Sequence, residues 1–291
     1  MATLHRLAAF AAVLAVVAAC SAAPAATPGF GAADLAAALG KVPRDLSTVH
    51  GLDLPLDRSQ LTPVEELEVV KARNTVMERC LAARGLVFTF PPVDPVRDAA
   101  KTRRHGLVDV AEAAAYGYRD PAVFTRRAAG VQEQPSPAVV AMITGTSDRR
   151  DVPSGGCAGE ADRALAPDAK PGQEPVSFGL SQQSYEITRT TPPVTAAAAA
   201  WSRCMAEAGF RYRDPQAAIG DPAFGAGRAS AHEIAVATRD VRCKERTDWV
   251  RTWVAVERVV QEALVPYHTA DLAREQQHKE SQLAATRKIT G

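Results

Sequence analysis

Apolar positions fall along this chain in three different ways. Leu7 to Ala19 is an unbroken apolar run of 13 residues. Two later stretches instead repeat apolar residues at helical spacing. The first carries Leu67, Val70, Met77 and Leu81. It is entered through Thr62-Pro63-Val64-Glu65, a capping box with Pro at the first helical position, and left through Gly85, which suits a left-handed cap. This predicts one amphipathic helix over 63–84. The second carries Ile234, Ala237, Val241, Trp249, Trp253, Val256, Val260 and Leu264 behind another capping box, Ser230-Ala231-His232-Glu233. The helical pattern runs on, polar and rich in Ala and Gln, from Tyr267 to Lys288. A single rod over 230–288 would be close to about 90 Å long, too long for a domain of this size. Either Pro266 folds the end back, or residues 266–291 project. Between these stretches, Asp109–Tyr116, Pro137–Ile143, Cys157–Ala166 and Thr195–Ala208 predict short helices, with loops over 146–156, 167–179 and 214–227. Strand-like alternation is confined to Phe88 and Phe90 and is halted by Pro91-Pro92, so any sheet is small. The expected fold is all-α or mainly α: a disulfide-stabilised helical domain with long loops and a long C-terminal helix.

The apolar run at the start has a different meaning. A membrane-spanning helix needs about 20 apolar residues, and this run is shorter. It follows a short polar start bearing Arg6 and ends Val17-Ala18-Ala19-Cys20, the build of a signal-peptide core. Charge, length and ending together resemble the lipobox of bacterial lipoproteins. That resemblance implies cleavage before Cys20, a diacylglyceryl group on its thiol with acyl chains such as palmitate, and stable anchoring by the paired chains. Residues 1–19 are then the signal peptide, residues 20–35 a tether without charge or periodicity, and residues 36–291 a single helical extracytoplasmic domain. The implied location is the outer face of the cell membrane.

Charge changes the picture by exclusion. Lys and Arg number 34 against 33 Asp and Glu. Loss of the leader removes one Arg and no acid, so the mature chain is balanced. It carries neither the basic excess expected of a nucleic-acid binder nor a polybasic patch to support the anchor.

Cys80, Cys157, Cys204 and Cys243 remain after Cys20. An even number in an exported chain reads as disulfides, and no spacing suggests a CxxC redox motif or a compact zinc site. Cys80-Leu-Ala-Ala-Arg-Gly85 and Cys204-Met-Ala-Glu-Ala-Gly209 are built alike, each leading into an aromatic stretch: Leu86 to Pro91, and Phe210 to Pro215. If each copy of this diverged repeat closes on its next cysteine, the pairs are Cys80–Cys157 and Cys204–Cys243. Cys80–Cys204, stapling two similar helix ends, is the rival. In the first scheme the helices bearing Cys204 and Cys243 are expected to run antiparallel, with Trp249 covering the bond.

Catalytic motifs are missing. Gly145-Thr146-Ser147-Asp148 is not a nucleophile elbow, His232-Glu233 lacks the second His of a zinc protease, and no phosphate loop occurs. His268, Asp271, Glu275 and His278 share one helical stripe, which reads as a solvated face rather than a metal site. No metal and no cofactor are expected. The candidate ligand cleft is aromatic: Phe88, Phe90, Tyr118, Phe210 and Tyr212, with Tyr116 beside them and Arg119, Arg211, Arg213, Asp120 and Asp214 at its rim, suited to a peptide or glycan. Trp201, Trp249 and Trp253 are expected in the core.

The motifs Trp201-x-x-Cys204-Met205-x-x-x-Gly209-Phe210-x-Tyr212, Gly155-Gly156-Cys157-x-x-Glu160-Ala161 and Ala237-x-x-Asp240-Val241-x-Cys243 resemble a group of uncharacterised lipoproteins from high-GC, filamentous, Streptomyces-like actinobacteria, over about residues 60–265. The resemblance implies export and a helical, disulfide-bearing domain. It carries no activity. The expected function is a non-catalytic envelope interaction or ligand-binding module whose partner is an envelope protein, a peptide or a glycan. The alternative is an enzyme acting on cell-wall polymer, with acids drawn from Glu160, Asp214 and Asp240.

Overall fold

The computed structural model describes residues 32–42, 54–91, 103–121, 134–166, 174–225 and 227–291. The apolar leader, Cys20 and the first part of the tether lie outside the described residues. Eleven α-helices and two 3-10 turns are described, and no strand. Phe88 and Phe90 therefore stand in extended chain with no ladder partner, and the strand suggested by their alternation does not form.

The molecule is organised around its last third. Helix α9 (Ala231–Arg246) and helix α10 (Trp249–Leu264) are separated by Thr247 and Asp248. Asp248 has φ +51°, a left-handed conformation that a short polar side chain tolerates, and it ends the helical run that the sequence pattern carries straight through. Helix α10 is buried on nearly every side: Trp249, Val250, Trp253, Val254, Ala255, Val256 and Val260 are all at most 2% exposed. An α-helix that is apolar almost all round belongs inside. Its neighbours are α1 (Ala32–Gly40), α6 (Val176–Arg189), α7 (Pro192–Ala206), α9 and the 3-10 turn Pro55–Ser59. Helix α1 begins inside the stretch expected to be tether, because Leu35, Ala38, Leu39 and Val42 bury against this core. Helix α6 begins within the segment expected to be loop at 167–179. Its apolar side, with Leu180, is interrupted by buried Ser177, Ser184 and Thr188, which weakens the periodic signal.

Cys204 is bonded to Cys243, joining α7 to α9, and Cys80 to Cys157, joining α2 (Pro63–Ala82) to α5 (Gly156–Leu165). The pairing is the one suggested by the repeat, but the expected geometry of the first pair is reversed. Trp201 meets Asp240, Cys204 meets Cys243, and Glu207 meets Arg246, in the same order along both helices. Helices α7 and α9 thus run side by side in one direction. The connection that carries helix α8 (Pro215–Ile219), inside the expected loop at 214–227, brings the chain back to the start of α9. Trp249 shares the core cluster with both cysteines.

A second, smaller core forms between α2, α5 and α4 (Pro137–Thr144) from Met77, Cys80, Leu81, Val139, Met142, Cys157 and Ala161. Along α2 and α5 the pairs Arg73–Asp162 and Cys80–Cys157 run in opposite order, so these two helices are antiparallel. Helix α11 (Thr269–Thr290) joins the two cores. The 3-10 turn Val265–Tyr267, containing Pro266, redirects the chain, and α11 folds back along α2, α5, α6 and the 55–59 turn. Lys279 reaches Gln60 O at 2.7 Å and Glu65 at 2.9 Å, and Arg79 approaches Ile289 O at 3.5 Å. The end of the chain does not project.

Candidate functional site

The aromatic residues singled out in the sequence separate into two places. Phe88 and Phe90 lie edge to face, ring centres 5.1 Å apart, against the smaller core, where Glu78 accepts the Phe90 N–H. Tyr118, Phe210 and Tyr212 lie against the larger one. A cleft formed by all five does not exist, because the two copies of the repeated segment face different cores. What gathers around Tyr118, Phe210 and Tyr212 is a half-buried aromatic face at the start of α9. Phe224 stacks at a tilt 5.7 Å from Tyr118, and the exposed His232 lies 6.0 Å from Phe210 and 6.1 Å from Phe224. Phe224 does not stand out in the sequence, since it is isolated from any periodic run, and His232 reads there only as part of the capping box and of an incomplete zinc-protease motif. Tyr212 donates to Asp221 at 2.6 Å, and burial followed by that bond pushes its hydroxyl up to about 12.

This face is set from below by buried charge. Helix α3 (Val110–Tyr116) is capped by Asp109 and closes on Gly117, which turns Tyr118 and Arg119 toward α9. The Ser230 hydroxyl accepts the Glu233 N–H at 3.1 Å, but the Glu233 carboxylate does not return to complete a capping box. It is 1% exposed and turns inward to accept the Tyr118 N–H at 3.2 Å and the Arg119 guanidinium at 2.7 Å. Seven residues on, Asp240 is fully buried. It accepts from Trp201 Nε1 at 2.9 Å, Lys244 Nζ at 2.8 Å and Tyr118 OH at 3.2 Å. Burial raises the Asp240 carboxyl, against the pull of Lys244 and the other donors, and burial together with Asp240 raises the Tyr118 hydroxyl. Tyr118 is thereby fixed at its backbone by Glu233 and at its hydroxyl by Asp240.

A second buried acid was not legible as such. Glu257 on α10 is fully buried and receives Arg104, His105 Nε2 at 3.2 Å, Trp253 Nε1 at 3.2 Å and the Ser184 hydroxyl at 3.2 Å. Burial pushes its carboxyl up, but the hydrogen bonds from His105 and Arg104 outweigh that and hold it near about 2. Ser184 is bonded to Glu257 and Gln261 rather than to His105, so the trio is not wired as a nucleophile and its base. The one sequence signal for Glu257 was its place on α10, four residues after Trp253 and between buried valines.

Several of the remaining candidates have structural partners. Glu160 pairs with Arg84 at 3.5 Å, and Asp214 caps α8 through the Ala217 N–H at 2.7 Å. Together with buried Asp240, these acids stand on separate elements. Arg213 is exposed and pairs with Asp214. In the stripe on α11, Asp271 pairs with Arg274, and Glu275 caps α6 through the Val176 and Ser177 N–H groups. Among the described residues no group of His, Cys, Asp and Glu could hold a metal ion, and no helix is long and apolar enough to cross a membrane. A cavity of about 220 Å³ lies between α1 and α10, lined by Ala37, Ala38, Lys41, Arg258, Val259 and Glu262. No protein-family model matches the chain, and no curated protein or solved structure matches it.

Proposed function

We propose that this chain is an exported lipoprotein, held to the extracytoplasmic face of the cell membrane by lipid on Cys20, and that its helical domain works by binding a peptide, glycan or envelope protein. The observation that carries the reading is the apolar run Leu7–Ala19 ending Ala18-Ala19-Cys20, in a chain whose four other cysteines are all paired in disulfides. Disulfides persist in oxidising compartments outside the cytoplasm. Cys20 is the cysteine left over, at the position where a lipobox places its lipid.

Binding rather than catalysis is supported by how the acids are used. Asp240, Glu233 and Glu257 are committed to holding segments 103–107 and 117–119 against α9 and α10, and Glu160 and Asp214 are tied to structural partners. The binding face is Tyr118, Phe210 and Phe224 with His232, where half-buried rings offer stacking surface beside the polar groups of Tyr212 and Asp221.

Intact-mass measurement of membrane-extracted protein, with and without reduction, tests the anchor. The expected species starts at Cys20, carries acyl chains, and gains four hydrogen atoms on reduction. Cys20→Ser is expected to release the protein from membranes or stall its precursor. Normal attachment at normal mature size would overturn the reading. For the binding face, Phe224→Ala and Phe210→Ala are expected to abolish retention of ligands that native mass spectrometry finds on the wild-type domain.

A further inference from the structure

Each disulfide joins two helices, but the polar groups that reach the sulfur atoms differ. Cys157 is the second residue of α5, where unpaired backbone N–H groups leave the helix end electropositive. Its partner Cys80 lies under the Arg84 guanidinium, whose Nη1 donates to the Cys80 sulfur at 3.1 Å while Nε donates to Asp151 O at 2.7 Å. A helix N-terminus and a neighbouring Arg both favour a thiolate over a thiol. Glu160 draws on Arg84 from 3.5 Å but leaves its Nη1 on the sulfur. Cys204 and Cys243 stand differently. Cys204 lies two residues before the end of α7, as Cys80 does in α2, and Cys243 lies three before the end of α9, where carbonyl groups make the helix ends negative, so neither sulfur of this pair has a helix N-terminus beside it. Arg239 is near but donates to the Cys204 carbonyl oxygen at 2.8 Å, and the bond is buried with Trp201, Trp249 and Trp253.

From this contrast we infer that Cys80–Cys157 is the more readily reduced bond and Cys204–Cys243 the more persistent one. The reduction is exchange with a dithiol. One thiolate of the dithiol attacks a sulfur of the pair, the S–S bond breaks, and the other sulfur leaves with the electron pair as a thiolate. The second thiol of the reductant then displaces the first sulfur. The dithiol ends as its disulfide, and two electrons rest on Cys80 and Cys157. Stabilising the departing thiolate both speeds the step and favours the reduced state. Opening this bond removes the covalent tie between α5 and α2 in the smaller core, while α7 and α9 stay joined around the aromatic face. Both sulfurs are nearly buried, at 2% and 0% exposure, so Arg84 has to swing aside and equilibrium rather than rate is the proper readout.

The test equilibrates the full chain with graded mixtures of reduced and oxidised dithiothreitol, quenches in acid, alkylates and maps each pair by mass, with helicity followed by circular dichroism. Half-reduction of Cys80–Cys157 is expected at a reduced-to-oxidised ratio at least tenfold lower than for Cys204–Cys243, and Arg84→Gln is expected to narrow that gap severalfold by moving the first pair alone. Equal ratios in a protein that keeps its helicity, or earlier reduction of Cys204–Cys243, would overturn the inference. If reducing one bond unfolds the chain, single-pair proteins (Cys80→Ala with Cys157→Ala, and Cys204→Ala with Cys243→Ala) are titrated instead. The inference then fails unless the protein keeping Cys80–Cys157 is the more easily reduced.

Discussion

Charges buried on α9 and α10 hold segments that are distant in sequence. Lys244 is 1% exposed and bonds Asp240 and Leu107 O. Removing one member of such a pair strands the other in a medium that solvates it poorly. Lys244→Met is therefore expected to destabilise the fold by about 3–5 kcal/mol, read by urea unfolding. Asp240→Asn in the same chain should recover a large part of that loss, and no recovery would mean that Lys244 matters for its packing alone. Glu257 gives a pH signature. Its carboxyl is held near about 2 in the folded protein against an ordinary 4.5. A depressed acid contributes stability that is present above the unfolded value and disappears as pH falls toward the folded one. Stability should thus drop between about pH 4.5 and 2, by about 3 kcal/mol for this group alone. Glu257→Gln should start less stable at pH 7 and lose less on acidification, and an equal slope in both proteins would contradict the assignment.

At the scale of helices, close approach sets the sharpest constraint. Helix α5 begins at Gly156 against the end of α4, with φ +68°, and a Cβ there would fall 2.3 Å from Ile143 O and 2.4 Å from Gly145 N. Gly156→Ala should cost about 3 kcal/mol or more through strain and overlap together, lowering the unfolding midpoint. Gly179, where a Cβ meets nothing, is the matched control, and Gly179→Ala should be neutral or mildly stabilising in its helix. Helix starts were legible where local chemistry decides them. Thr62 and Glu65 form the full capping box read in the sequence, with bonds of 3.3 and 2.6 Å. Features decided by distant partners were not legible. Glu233 carries the same local signature but is drawn inward by Arg119 and Tyr118, which are more than 100 residues away. The break at Asp248 has no Gly or Pro to announce it. Helix α6 takes its N-terminal cap from Glu275 on α11, a residue that reads from its own neighbourhood as surface charge. The aromatic set failed for the same reason: residue type marked Phe88 and Tyr212 alike, while tertiary packing sent them to different cores.

Across the whole molecule, two disulfide-closed cores meet through α11. The chain-entropy estimate gives about 4 kcal/mol for either closed loop, so neither bond alone explains why the halves would melt together. Helix α11 supplies the link. Leu272 joins Leu56 and Leu180 at one end, Lys279 ties Gln60 and Glu65 midway, and Thr286 is 2% exposed near the other end, where Arg79 on α2 approaches Ile289 O. Its outward positions are polar, which is why the segment reads from sequence as a helix able to project. What binds it down is a narrow set of contacts contributed by both cores. Full-length protein should accordingly unfold in one calorimetric transition. Deleting residues 268–291 removes the cap of α6 and the brace on α2 at once. A loss of about 4 kcal/mol corresponds to roughly 10 °C in a chain of this size. The α2–α4–α5 core should melt first, because it is the smaller one and is left with its own apolar cluster, its disulfide and pairs such as Arg73–Asp162 and Arg84–Glu160. Two resolved transitions after the deletion, the lower one moving further when Cys80–Cys157 is reduced, are the expected result. A single unshifted transition would mean that the cores are coupled without α11.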